Sequence, residues 1–233
     1  MLKKDTFEAR INLKKLIMKN IAIKAISLVV ITLGMVSCKN NKAKTSEAKE
    51  VEKIIAEETF KAVPAQTMIS WDAKKIVGGH NGTINASTGV LNVKDGKLVG
   101  GNFIFDVNTI KCLDIPADDE NNAKLVGHLK GEDFFNVAKY PNAAFQITSV
   151  SEENGKQVIA GNLTVKGIKK NIKFPATVSI NGNSATITSE EFAIDRTEFD
   201  IKYNSGKFAD AAKLGDYLIK DNVGVKVTVT ATK

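Results

Sequence analysis

Few side chains in this 233-residue chain have the type and spacing to do chemistry. His80 and His128 lie far apart and not at the spacing of metal ligands, and an isolated histidine reads first as a hydrogen-bonded structural residue. No HExxH, CxxC, GxSxG, phosphate-binding loop or dinucleotide fingerprint is present. One enzyme reading makes His128 and Asp133 an acid–base pair, which requires both to face one accessible pocket. Asp195-Arg196 follows an apolar run and reads first as a structural salt bridge, second as a contact for a ligand head group. Asp118-Asp119 and Glu190-Glu191 read as solvated loop charges. Cys112 has only Lys111 beside it to activate a thiol, so it reads as a small, partly buried residue. No catalytic group, metal site or cofactor is expected.

Phenylalanine is the other residue type that repeats with purpose: Phe103 with Phe105, Phe134 with Phe135, and Phe192 near Phe199. Such pairs make either ordinary core or the lining of an apolar cavity. The elements that hold them have period two. Val223, Val225, Val227, Val229 and Ala231 alternate with Gly224, Lys226, Thr228, Thr230 and Thr232, which gives one apolar and one wet face. Ile172, Phe174, Ala176, Val178 and Ile180 form a second row, and Val99, Phe103, Phe105 and Val107 a third. Phe145 with Ile147, Gly161-Leu163-Val165, and Phe192 with Ile194 are shorter ones.

Asp95-Gly96, Asn154-Gly155, Asn181-Gly182 and Lys166-Gly167 punctuate these rows as hairpin turns. About eight strands with short reversals predict an all-β fold closed, or nearly closed, on itself. The interior of an eight-stranded barrel is either filled by side chains or holds one small apolar ligand, and the residues alone leave both open. Asp118–Gly131, with Leu125 and Leu129 at helical spacing, predicts a helix of two to three turns, and a second short helix is expected near Ala209–Leu214.

Residues 18–38 read as an export signal: a lysine-bearing start at Met18, an apolar run of about twelve residues from Ala25 to Val36, then Ser37-Cys38. The run is short of the roughly 20 residues that span a bilayer, so a transmembrane anchor is a lesser reading. A plain signal cut without lipid is another. Met35-Val36-Ser37-Cys38 resembles a lipoprotein cleavage box, in which Cys38 is lipidated. The expected layout is a signal region over 1–38, a flexible tether over 39–62 and a β-domain over 63–233. Seven Lys/Arg and two acids fall in residues 1–38, so +5 of the net +7 belongs there and +2 to the rest. That balance removes the electrostatic case for nucleic-acid binding.

Several stretches, taken in order, resemble the YceI-like family: Gly127-His128-Leu129-Lys130-Gly131-Glu132-Asp133-Phe134-Phe135, Tyr140-Pro141-Asn142-Ala143-Ala144-Phe145, Gly161-Asn162-Leu163-Thr164-Val165-Lys166-Gly167, Phe192-Ala193-Ile194-Asp195-Arg196 and Ile219-Lys220-Asp221-Asn222-Val223-Gly224-Val225. With Trp71–Gly82, the likeness covers nearly all of residues 67–232. Two departures bear on pocket shape: Phe199 stands where the family often has Trp or Gly, and Asn121–Val126 lacks the usual Thr-rich character. The resemblance implies a secreted or periplasmic, lipocalin-like, eight-stranded antiparallel barrel that binds a polyisoprenoid or similar long-chain lipid. On that reading Phe103, Phe105, Phe145, Leu163, Val165, Phe174, Phe192 and Ile194 line the cavity. His128, Asp195 and Arg196 serve the polar rim or the scaffold. The partners implied are the lipid and a membrane reached through the Cys38 anchor, with the periplasmic side of the outer membrane favoured by analogy. A homodimer through sheet edges is compatible with the family. The alternative is a filled barrel acting as a structural or stress-related interaction module.

Overall fold

Alternation along the chain becomes inside and outside along a wall. In the last strand, Val225, Val229 and Ala231 are buried while Lys226 and Thr232 are exposed. The computed structural model describes residues 42–51 and 55–233, which fall in the unit Asn41–Lys233. The expected signal region, its cleavage point and Cys38 lie outside the described residues.

Twelve strands follow in chain order: β1 (Ser46–Glu47), β2 (Glu58–Ala62), β3 (Met68–Lys75), β4 (Gly79–Lys94), β5 (Lys97–Asp106), β6 (Lys111–Cys112), β7 (Asn142–Glu153), β8 (Lys156–Val165), β9 (Ile168–Asn181), β10 (Ser184–Ser189), β11 (Phe192–Asp195) and β12 (Ile219–Thr232). The ladder runs β9–β10–β12–β2–β4–β5–β7–β8, and β8 pairs back onto β9, closing the ring. β3 continues the stave of β2 between β12 and β4, and β11 continues that of β10 along β12. Counting each interrupted pair once, the ring has the expected eight staves.

Turn chemistry sets the register. Asp95-Gly96 (φ 50° and 68°), Asn154-Gly155 (52° and 73°) and Lys166-Gly167 (49° and 77°) each put two successive residues in the left-handed region. Type I′ hairpins need that geometry to match strand twist. One row differs from the sequence expectation. β5 carries an extra residue between the pairs Asn92↔Gly100 and Val93↔Leu98. This bulge at Val99 switches the strand's parity, so Leu98, not Val99, joins Phe103 and Phe105 in the core.

The helices cap one end. α1 (Glu120–Lys130) starts where the Asp119 carboxylate accepts from the Asn121 N–H at 2.8 Å; α2 is Ala211–Leu214. Val126 and Leu129, rather than Leu125 and Leu129, pack on the core. Among the described residues no helix is long and apolar enough to cross a membrane.

The tether expected over 39–62 needs correction. Lys42 bridges Ala193 in parallel, Ala43 N–H donates to Ala193 O at 2.8 Å, and Ser46 and Glu47 pair with Asn171 and Lys170. Asn162 then clamps Lys49 from both sides, accepting from its N–H at 3.0 Å and donating to its C=O at 2.7 Å. This strap fills the seam between the first half of β9 and β11, because β10 reaches only as far as Ala176 on β9. Farther on, β2 buries Phe60 completely. A polar composition hid two inward-facing residues, Ala43 and Phe60, that bind the segment to the wall.

Candidate functional site

Inward positions of successive staves leave a cavity rather than a solid core. Counted as space available to the centre of a water molecule, it holds about 180 Å³, and a single water needs only about 10–15 Å³. Apart from Arg196, every residue lining it is apolar or aromatic. The structure places all eight of Phe103, Phe105, Phe145, Leu163, Val165, Phe174, Phe192 and Ile194 on that lining.

Aromatic rings lie flat against the wall because small residues make room. A Cβ on Gly89 would collide with the Phe103 ring, and one on Gly161 with the Phe145 ring. Gly82 likewise sits under the indole of Trp71. Phe174 and Phe192 stack with centroids 4.5 Å apart, and Phe145 tilts onto Phe174 at 5.7 Å. These rings form a continuous hydrocarbon surface.

At the capped end Leu129, Phe134, Phe135, Ile201 and Ile219 extend the lining. The loops at this end also carry the exposed apolar side chains Ile76, Val77, Leu113, Tyr203, Phe208 and Tyr217. His128 sits outside the wall: Nε2 lies 3.0 Å from the Asp133 carboxylate, and its ring meets Phe134 and Tyr203 edge-on at 5.0 and 4.8 Å. His128, its side chain 41% exposed, does not line the apolar cavity, and neither does Asp133, so the pair does not face that cavity together as the acid–base reading required.

Asp195 and Arg196 point to different tasks rather than to each other. Arg196 is 5% exposed, and it donates to the carbonyls of Ile201 (2.8 Å), Ile219 (3.0 Å) and Lys220 (3.2 Å). It latches the loop before α2 to the start of β12. Burial pulls its pKa below the ordinary value, and the charges of Asp221 and Asp195 oppose that pull. Asp195 accepts from Lys207 at 2.7 Å, Lys42 at 3.2 Å and the Thr197 hydroxyl at 2.6 Å. Burial alone would raise its pKa, but these donors outweigh it and hold the carboxyl well below the usual range. The structural salt bridge read first from the sequence is therefore present, but with partners brought by the fold: Lys207 and Lys42 for Asp195, and Asp221, 3.7 Å away, for Arg196.

Other lining residues were not nominated from sequence, among them Trp71, Ile84, Ile147, Phe199 and the β12 valines. The parity of each row could have found the valines. The indole N–H of Trp71 is buried without a hydrogen-bond partner among the described residues, which no sequence pattern signals.

A family model described as YceI-like domain matches residues 60–231. A UPF0312 protein of Photorhabdus laumondii is 33% identical over 135 residues, covering 54% of this chain and 62% of the relative. One of Yersinia pestis is 33% identical over 91 residues, covering 36% and 46%. The chain thus spans about half to three-fifths of the length of these curated relatives. Among solved structures, BcnA of Burkholderia cenocepacia superposes with a TM-score of 0.56 at 22% identity, covering 73% of this chain and 99% of that one. A polyisoprenoid binding domain from Saccharophagus degradans, implicated in plant cell wall breakdown, gives 0.51 at 11% identity over 75% and 97%. At these identities the two structures share the fold.

Proposed function

This chain belongs to the YceI-like family, and from that premise we propose that it is a binding protein that carries one long-chain lipid, of isoprenoid type, in the barrel interior. The observation that carries this reading is the hollow, almost wholly apolar cavity. A polar substrate would find few partners there among the described residues: Arg196, whose donors are largely taken, and the indole N–H of the lining residue Trp71. The mechanism is burial: each sequestered CH₂ contributes about 0.8 kcal/mol. Ten would give roughly 8 kcal/mol gross, near micromolar before ordering costs are subtracted. The polyisoprenoid ligand named for the Saccharophagus domain fits this chemistry. The apolar lining supports the reading of a carrier.

The same proposal places the protein outside the cytoplasm, tethered through lipidated Cys38 on the periplasmic face of the outer membrane. The exposed apolar side chains around the capped end suit a domain that loads from a bilayer. A homodimer through sheet edges remains compatible with it. The rival reading, a filled barrel used as an interaction module, needs an interior without voids, which the cavity disfavours.

Organic-solvent extraction of the domain purified from its native envelope is the test. Recovery of a prenyl lipid, and saturable uptake of a fluorescent prenyl probe by the stripped protein, are the expected results. A protein that yields no lipid and takes up no probe is not this carrier. Labelling with an alkyne fatty acid, abolished in Cys38→Ala, checks the anchor separately.

A further inference from the structure

Sequence spacing keeps His80 away from Cys112 and Asp114; the fold does not. β4 pairs with β6 at Gly82↔Cys112, and Leu113 N–H continues that contact by donating to Asn81 O at 2.9 Å. The three side chains consequently converge at the capped end of the barrel. His80 Nδ1 lies 2.8 Å from one oxygen of Asp114, Cys112 Sγ lies 3.3 Å from the other, and no two of the three donor atoms are more than 4.8 Å apart. We propose that His80, Cys112 and Asp114 form a binding site for a zinc-type divalent cation.

The donor set has the right chemistry. Imidazole, thiolate and carboxylate are the ligand types zinc accepts, at about 2.0–2.3 Å, which puts the donors of a tetrahedral site about 3.4–3.7 Å from one another. Reaching that spacing needs shifts of an ångström or less at side-chain tips. The thiolate and the carboxylate together carry two negative charges and neutralise the ion; its binding releases the Cys112 proton to solvent. Three protein ligands leave a fourth position for water, and access exists because the His80 and Asp114 side chains are 32% and 28% exposed.

Supporting contacts hold the donors in place. Asn81 N–H donates to the Asp114 carboxylate at 2.8 Å, orienting it. The β3–β4 ladder fixes His80 opposite Ala73. Asn122 of α1 donates through Nδ2 to the carbonyls of Cys112 (3.3 Å) and Ile115 (2.7 Å). A bound ion would therefore staple the segment leading into α1 onto the start of β4. This site is separate from the lipid cavity and does not depend on the lipid reading.

The test is cobalt(II) titration of the reduced, chelator-treated protein carrying no histidine tag. The expected result is one ion per chain, with a near-ultraviolet thiolate-to-cobalt absorption that zinc displaces. Cys112→Ser should abolish that absorption. His80→Asn, at a half-exposed position that spares the core, should weaken binding at least about tenfold, since even losing an outer contact to a ligand costs that much. The same ion should raise the melting temperature of the native protein and not that of Cys112→Ser. Absence of the sulfur absorption, or binding that survives both substitutions unchanged, would overturn the site and leave the three groups as a hydrogen-bonded cluster only.

Discussion

Two residues show how single positions tune this barrel. Gly161 leaves room for the Phe145 ring, so Gly161→Ala should destabilise the protein by about 1–3 kcal/mol in urea unfolding, the usual range for overpacking. Combining it with Phe145→Leu should recover part of the loss, since the Gln146 carbonyl oxygen would also lie 2.7 Å from the new Cβ, and strict additivity of the two changes would show that the ring is not the obstacle. Asp195 makes an acid-side prediction. A carboxyl held low in the folded state by Lys207, Lys42 and Thr197, against the opposing effect of burial, contributes stability that is fully present above the unfolded pKa of about 3.9. That contribution should fade as pH falls from about 4 toward the depressed folded value, and Asp195→Asn should flatten the fall in melting temperature over the same window. An unchanged slope would mean the lysines do not favour the charged form. At this scale the sequence was informative about parity and silent about partners. The eight nominated cavity residues could be read from alternation and resemblance. The three carbonyls that occupy Arg196, and the meeting of His80 with Cys112, depend on chain segments brought together only by the sheet.

Elements follow the same logic one step up. Period-two rows and two-residue turns were legible because each is encoded within about ten contiguous residues. The strap at residues 42–49 was not, since its composition is that of a solvated coil and its attachment comes from complementary gaps in distant strands. Val99 was misassigned because a bulge shifts parity without altering composition. The strap also covers the one place where β9 and β11 lack each other, with Ala43 buried beneath it. Removing residues 42–49 should therefore cost about 1–3 kcal/mol, counting a few lost hydrogen bonds at about 1 kcal/mol each. It should also speed release of a preloaded prenyl probe through the opened seam. Stopped-flow release at the same rate with and without the strap would make it packing alone.

For the whole molecule, the question is what an evolved ring gains by leaving its interior unfilled. Closure satisfies every strand edge except short stretches at the interruptions, so stability can rest on the ladder and on a ring of aromatic contacts without a solid centre. A hollow interior and a packed one respond oppositely to added volume. In a solid core, Ala143→Leu would overpack and destabilise by about 1–3 kcal/mol. Beside a void, the new side chain occupies empty space, and the ligand-free protein should melt at the same temperature or higher. The same substitution should weaken probe binding at least about tenfold, because the chain and the leucine compete for one volume. Ligand should in turn stabilise the native protein by about 2.7 kcal/mol at a hundredfold excess over its dissociation constant, and Ala143→Leu should forfeit that gain. Thermal melting with and without probe, on both proteins, separates the cases: a destabilised variant whose probe affinity is intact would mean that the space seen between the staves is not where the lipid goes.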